Sequence, residues 1–250
     1  MQVSLIHMQI SESSEKNLET AEKMLYRAAD LGSKFISLPE YFVFPSNIED
    51  NNQIEDIIEK THDTAVKLLT RVSNDIDAYI VGGTIFEKFR GKIYNTSIFF
   101  KNGKILGKFR KMHLTEWEKK VGLSVGSTFK VFKTKYCRIG ILICADVFYP
   151  RTVKKLSSLG AEVIFLPVSA TRTHPYVKGH PLTQKRAEDN RVFILKNGNT
   201  RSNSRGGNSA IISPWGILNQ AKDEINTKII SAELDINKLR KYRQIASNSF

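Results

Sequence analysis

Cysteine is nearly absent: 250 residues carry only Cys137 and Cys144. Two are too few for a disulfide framework, and an odd spacing along one apparent strand points them to opposite faces, poorly placed to bond each other. A reducing, cytoplasmic setting is the expectation. No apolar run approaches the ~20 residues that span a bilayer, and the opening MQVSLIHMQI has neither a basic leader nor a cleavage site. Neither secretion nor membrane insertion is therefore expected. Among His7, His62, His113, His174 and His180 no pair has helical metal-ligand spacing, and no Cys-x-x-Cys occurs, so no metal and no cofactor is expected. G-x-x-x-x-G-K-[ST], G-x-G-x-x-G and G-x-S-x-G are all missing, which removes the motif support for standard nucleotide binding and for serine hydrolysis. Internal repeats and low-complexity linkers are missing too, and one domain over residues 1–250 is expected.

Acidic residues are also in short supply. Against 25 Asp and Glu stand 38 Lys and Arg, a net charge of +13 with a pI near 9.7. A basic balance can mean a nucleic-acid partner. Here the cations are scattered, with only Lys101 to Lys111 and Arg240 to Arg243 mildly clustered, so a generally basic surface is the reading and no nucleic acid is expected. Asn95-Thr96-Ser97 matches a glycosylation sequon, which has no meaning in a cytoplasmic protein.

What is present is a steady alternation. Strand signals cover Val3–Ile10, Phe35–Leu38, Ala78–Phe86 with an interruption at Gly82-Gly83, Ile93–Phe100, Lys104–Phe109, Phe129–Lys133, Ile139–Ile143, Val163–Val168, Val192–Lys196, Ser209–Ile212 and Ile229–Leu234. Helical spacing covers Glu12–Leu31, Ile54–Val72, Arg151–Leu159, Leu182–Asn190 and Asn237–Arg243, with Gly32 and Gly160 as stops. Asn102-Gly103 is a strong hairpin signal, and Ser213-Pro214-Trp215-Gly216 reads as a second turn. The pattern predicts an α/β protein with at least ten strands in mixed sheets, enough to split into two packed sheets. Thr171 to Gly179 and Arg201 to Gly207 read as loops bordering a site.

RIGILICADVFYP, Arg138 to Pro150, is the stretch around which the chain is organised. A buried strand gives way to a turn at Cys144, so the backbone is held by a sheet while the sulfur is aimed out of the strand end. By position alone Cys144 is a small buried hydrophobe or a nucleophile. Two further strand ends carry chemistry: Glu40 in Leu38-Pro39-Glu40 and Lys111 in Arg110-Lys111-Met112-His113-Leu114.

Together these residues resemble the nitrilase superfamily of carbon-nitrogen hydrolases, whose L-P-E, R-K-x-H-L and G-x-x-I-C-x-D motifs appear here in the same order. The resemblance spans nearly the whole chain: QKRAEDN at Gln184–Asn190, GNSAIISPWG at Gly207–Gly216 and the closing Ala232–Arg243 are similar to further family segments. It implies one carbon-nitrogen hydrolase domain, a four-layer α-β-β-α sandwich of two mixed sheets flanked by helices, and a homodimer paired across the helix after the cysteine. It also implies that Glu40, Lys111 and Cys144 form the catalytic set, with a second glutamate beyond the lysine; Glu118 is the candidate, and Glu116 stands close behind it. The loop from Trp117 to Gly126 is one residue longer than the family's spacing, which keeps both open.

The residue types explain the set. A thiol with a pKa of about 8.5 is a weak nucleophile at neutral pH until a base or a cation assists it. Glu40 serves as that base, then returns the proton to the leaving amine and activates the water that hydrolyses the thioester. Lys111 and the backbone N–H of Ala145 are the expected donors to the oxyanion. Ala145-Asp146-Val147-Phe148-Tyr149-Pro150 resembles amidase and carbamoylase branches more than nitrilases with tryptophan-glutamate after the cysteine. Family members commonly carry tyrosine at position 145 and glutamate at 151, where this chain has Ala145 and Arg151. Ala145, Phe148, Tyr149, Ser169 and Thr171 are the candidates to line the pocket, and Arg172 with His174 to meet a substrate carboxylate. The expected activity is hydrolysis of a small linear carboxamide; an N-carbamoyl amidohydrolase, a nitrile hydrolase or a non-catalytic basic binding protein are the alternatives.

Overall fold

Apolar runs long enough to be covered on both faces build the middle of each of two sheets. In the computed structural model, which describes residues 1–46, 52–169, 180–201, 208–221 and 225–247, the chain opens with β1 (Gln2–Gln9), α1 (Ser14–Asp30), β2 (Phe35–Ser37), α2 (Asn52–Asp75) and β3 (Tyr79–Val81). A meander of β4 (Ile85–Phe89), β5 (Lys92–Lys101) and β6 (Lys104–Arg110) follows, then a short α3 (Glu116–Lys120). β7 (Val131–Lys133) and β8 (Arg138–Ile141) lead to a 3-10 turn at Cys144–Phe148 and to α4 (Pro150–Ser158). β9 (Val163–Pro167), α5 (Pro181–Asn190), β10 (Phe193–Asn197), β11 (Asn199–Thr200), β12 (Ala210–Ser213), β13 (Gly216–Gln220), β14 (Lys228–Glu233) and α6 (Ile236–Ser247) complete it.

The first sheet runs β11-β1-β2-β3-β5-β4, with β14 also on β1 and β6 also on β5; the second runs β13-β12-β10-β9-β8-β7. β1, β2 and β3 are parallel, as are β8, β9 and β10, and antiparallel strands flank both sets. Parallel strands are covered on both sides, which is why VIFLP and FIL lack the alternation of a half-solvated strand. Leu18, Ala21 and Leu25 of α1 and Leu69 and Val72 of α2 pack on Ile36, Ile80 and Phe100 of the first sheet. Its other face sets Leu5, Phe35 and Phe99 in one core with Ile139, Ile141 and Phe165 of the second sheet, and that core continues to Val153 and Leu156 of α4 and Ala187 of α5. The layers are helix, sheet, sheet, helix, the expected α-β-β-α sandwich. Among the described residues no helix is long and apolar enough to cross a membrane.

Differences from the sequence reading have local causes. The segment 78–86 is two strands, because Gly83 takes φ +56° and turns the chain between β3 and β4. The run through Ile143 leaves the β8 ladder after Ile141, because Asp146 Oδ2 accepts from the Ile143 N–H at 3.0 Å and starts the 3-10 turn. β11 and β13 carry too short an apolar run to be read as strands: β13 reads GILNQ, with only Ile217 and Leu218 apolar, and is half-exposed on the sheet edge. The segment from Trp117 to Gly126, read as a loop, contains most of α3, whose Thr115 and Glu118 form a reciprocal capping box.

The topology sends the carboxyl ends of β2, β8 and β9 toward one place, where open α/β sheets bind ligands. Gly83 helps hold the first of these ends. A Cβ there would lie 2.1 Å from the Pro39 carbonyl oxygen, on a backbone already in the left-handed region. Gly83→Ala is expected to cost about 1–3 kcal/mol of stability, read as a lower urea midpoint, and to cut activity more than unfolding accounts for because it pushes on Pro39 and hence Glu40.

Candidate active site

Three loops from three strand ends meet at one buried cluster. Glu40 follows β2, and its backbone carbonyl is fixed by the Asn199 side chain at 2.7 Å. Lys111 follows β6, with its N–H on the Asn95 carbonyl at 2.9 Å and its carbonyl receiving the Gly126 N–H at 2.7 Å. Cys144 follows β8 and stands at φ +42°, a conformation that costs a non-glycine residue energy and that here aims the side chain out of the sheet.

Lys111 is the centre of the cluster. Its ammonium donates to Glu40 Oε1 at 2.9 Å and contacts Glu118 Oε1 and Oε2 at 2.9 and 2.8 Å, and the three side chains are each about 1 % exposed. An ammonium has three N–H donors, so two carboxylates leave it one. Glu40 uses its other oxygen, Oε2, to accept the Ser169 N–H at 2.7 Å. Glu118 Oε2 accepts both the backbone N–H and the hydroxyl of Thr115 at 2.8 and 2.9 Å. Glu118 Oε1 also receives the Tyr41 hydroxyl. The Asn95 amide donates to Glu40 Oε1 at 2.9 Å, Glu118 Oε1 at 2.8 Å and the Tyr41 oxygen at 2.8 Å, tying the two carboxylates into one network. Of the two glutamates left open by spacing, Glu118 reaches Lys111, whereas Glu116 is 90 % exposed and pairs with Lys119.

Cys144 faces Glu40, Lys111 and the Ser169 amide. Burial and the Glu40 charge push its thiol well above the usual range despite Lys111, so it rests protonated. Burial also raises Glu40, with Lys111 opposing and Glu118 adding to the rise. Burial alone would raise Glu118 as well, but Lys111, Tyr41 and the Thr115 amide outweigh it and hold Glu118 low. Burial works against the Lys111 charge too, and the Glu40 and Glu118 carboxylates more than reverse that, so Lys111 stays an ammonium. The two carboxylates thus differ: one is firmly ionised and one is poised to accept a proton.

Asp146 joins the Lys111 and Cys144 loops. Fully buried, it accepts from the N–H groups of Met112 and His113 at 3.2 and 2.9 Å and from Ile143 at 3.0 Å, and its Oδ1 lies 2.9 Å from His113 Nδ1. A cavity of about 350 Å³ opens over the cluster, lined by Glu40, Lys111, Glu118, Cys144 and Ser169 together with Tyr41, Phe44, Ser46, Thr115, Trp117 and Arg201. Of the residues expected to line a pocket, Ser169 is in this wall. Ala145 is buried beneath the turn and is not. Phe148 and Tyr149 stand outside it, 64 % and 49 % exposed, because the 3-10 turn swings them to the surface, where Tyr149 stacks on His113. Thr171, Arg172 and His174 lie outside the described residues.

Two further cations stand near the site, one of them, Arg201, at the start of a loop the sequence reads as bordering a site and the other, Lys196, without a sequence signal. Arg201 lines the cavity and donates to the Pro45 carbonyl at 2.9 Å. Lys196 on β10 lies within electrostatic reach of Cys144, with its ammonium 3.3 Å from His180 Nδ1. Burial depresses both, and neither forms an ion pair among the described residues. Burial and the Lys196 charge also lower His180 to about 4, so it is neutral and accepts from Lys196. Tyr41 directly follows the L-P-E motif and Asp146 lies inside the cysteine motif, so position marked both; Asn95 had only its sequon.

The carbon-nitrogen hydrolase family profile matches residues 2–244. The omega-amidase NIT2 of Bos taurus is 30% identical over 255 residues, covering 97% of this chain and 91% of that protein. The crystal structure of Saccharomyces cerevisiae Nit3, described as a member of branch 10 of the nitrilase superfamily, superposes with a TM-score of 0.87 at 31% identity, covering 98% of this chain and 93% of that one. An amidase from Nesterenkonia sp. shares the fold, with a TM-score of 0.83 at 19% identity over 100% of this chain and 96% of that one.

Removing the central cation leaves two buried carboxylates facing each other. Lys111→Met is expected to destabilise by about 3–5 kcal/mol at pH 8. Without the ammonium both carboxyls titrate above their unfolded values, so the folded variant binds protons more readily and regains stability as pH falls. Glu118 in the parent, held low, loses its contribution in the same direction. Urea midpoints for parent and variant should therefore differ less at pH 5 than at pH 8.

Proposed function

The chain belongs to the carbon-nitrogen hydrolase family and is an enzyme of that class; we propose that it is a thiol-dependent amidase, hydrolysing a small linear carboxamide to acid and ammonia. The observation that carries this reading is the shared, buried contact of one ammonium with two unlike carboxylates beside a thiol. In the proposed mechanism the amide carbonyl sits with its carbon on Cys144 Sγ. The thiol proton passes to Glu40 as sulfur attacks, which matches a thiol that rests protonated and a carboxylate raised by burial. The third N–H of Lys111 and the backbone N–H of Ala145 receive the oxyanion, and losing one such donor typically costs about 2.7–4 kcal/mol. Glu40 protonates the departing nitrogen, the C–N bond breaks, and a thioester remains. Water, deprotonated by Glu40, then releases the acid and restores the thiol. Glu118 acts as a positioning residue: it keeps Lys111 charged and oriented.

Arg201 in the cavity wall and Lys196 near Cys144 favour a substrate whose far end is anionic, since neither cation has a carboxylate of its own among the described residues. The amidase names of the Bos taurus and Nesterenkonia proteins support C–N cleavage of an amide. Exposed Phe148 and Tyr149 at the start of α4 fit the homodimer that family resemblance implies.

A screen of small amides, ureides and nitriles with ammonia detection, run beside Cys144→Ala, tests the reading. Ammonia from amides that disappears in the variant upholds it; release only from nitriles, or equal release by the variant, overturns it. Because Glu40 must be ionised to act, kcat/KM should be lost on acidification through a midpoint above the carboxyl reference of 4.5, and Glu40→Gln should abolish activity throughout. Arg201→Gln should raise KM about tenfold, or about 1.4 kcal/mol, for a carboxylate-bearing amide and leave a neutral amide of equal length unchanged.

A further inference from the structure

A second cavity, of about 540 Å³, lies at the opposite end of β8 from the Cys144 turn. Lys133, Lys135, Arg138, Arg240 and Arg243 line it with a single acid, Glu162, an excess of four positive charges. That acid is already occupied. It accepts Arg240 Nε at 2.6 Å and Nη2 at 3.3 Å, and the Arg138 N–H at 2.8 Å. Arg243 is pinned in place, donating to the Arg191 carbonyl at 2.8 Å and the Ala161 carbonyl at 2.7 Å, where α5 and α4 end. Burial makes its own charge harder to hold, Glu162 opposes this, and the neighbouring Arg191 and Arg240 charges add to it. Lys133, Lys135 and Arg138 are exposed at the rim and form no ion pair among the described residues.

An excess of four charges over such a volume is not matched by one carboxylate. It fits a ligand with three or four closely spaced negative charges, and arginine forks pair with phosphate oxygens in bidentate fashion. We propose that this basic cavity binds a polyvalent phosphate, either a nucleoside triphosphate or an inorganic polyphosphate, at a site separate from the Cys144 cavity. The proposal does not depend on the amidase reading, since none of its residues lines that cavity.

Calorimetric titration of the full chain with sodium tripolyphosphate, and separately with ATP, tests it at low salt. One saturable site is expected, weakening as added salt screens it. Lys133→Gln/Lys135→Gln/Arg138→Gln, all at exposed positions, should weaken both ligands at least about tenfold. Lys88→Gln/Lys92→Gln/Lys104→Gln, which removes as many charges from the β4–β6 meander, should change neither by more than about twofold. Lys135→Glu alone gives a second reading should the triple variant be poorly folded, and thermal melts check each. Equal affinity for the two ligands assigns the site to the phosphate chain, and tighter ATP extends it to the nucleoside; both uphold it. No saturable binding, equal weakening by the two triple variants, or competitive inhibition of ammonia release by tripolyphosphate would overturn it.

Discussion

A lysine ammonium buried between two carboxylates is the constraint on which the rest of this structure depends. Taking three ionised groups from water is expensive, and Coulomb attraction offsets the cost only when geometry is good and every remaining lone pair is met. Here Glu40 and Glu118 each have both oxygens engaged, and the Asn95 amide spans them. Unequal surroundings then separate the two acids: Glu118 receives Tyr41 and the Thr115 cap and is held ionised, while Glu40 has the sulfur for a neighbour and a raised affinity for protons. Carboxylates in such unequal surroundings are suited to different tasks, one to exchanging protons and one to holding its charge.

The scaffold exists to bring loops to that ammonium. Parallel strands β2, β8 and β9 stop at one end of the two sheets, so Glu40, Cys144 and Ser169 emerge beside one another although far apart in sequence. Lys111 arrives from the antiparallel meander, and Asp146 clasps its loop to the cysteine turn through the amides of Met112 and His113. The left-handed backbone at Cys144 is sustained by this clasp: the same carboxylate that takes the Ile143 N–H ends the strand and begins the 3-10 turn.

How much of this could be read from the chain differs by level. Strand and helix alternation gave the class, because parallel strands such as VIFLP are uniformly apolar and α1 and α2 carry clear stripes. Edge strands β11 and β13 were invisible, being short and half-polar, and α3 was hidden by its length of five residues. The four-layer arrangement came from family resemblance and not from periodicity. Glu40, Lys111 and Cys144 were marked by motifs, and the choice of Glu118 over Glu116 needed the capping box, which turns one inward and the other out. Phe148 and Tyr149 looked like pocket walls because they follow the cysteine; a tight turn moves its fourth and fifth followers away from the sulfur, and no residue pattern announces that. Lys196 reaches the site by strand pairing across the second sheet, a relation between distant segments that local sequence does not carry, whereas the loop opening at Arg201 was legible as one bordering a site.

One buried side chain has a consequence for where this protein can be made. Asn95 is completely enclosed, with its amide hydrogens spent on the two acids and a phenol. It also begins an acceptor tripeptide, Asn95-Thr96-Ser97. Ribosomal export into a compartment that attaches sugar to nascent polypeptide would decorate that amide before the sheets close over it. A branched glycan has no room between Glu40 and Glu118, so host cells that route this chain through a secretory lumen would trade a working catalyst for a permanently unfinished fold.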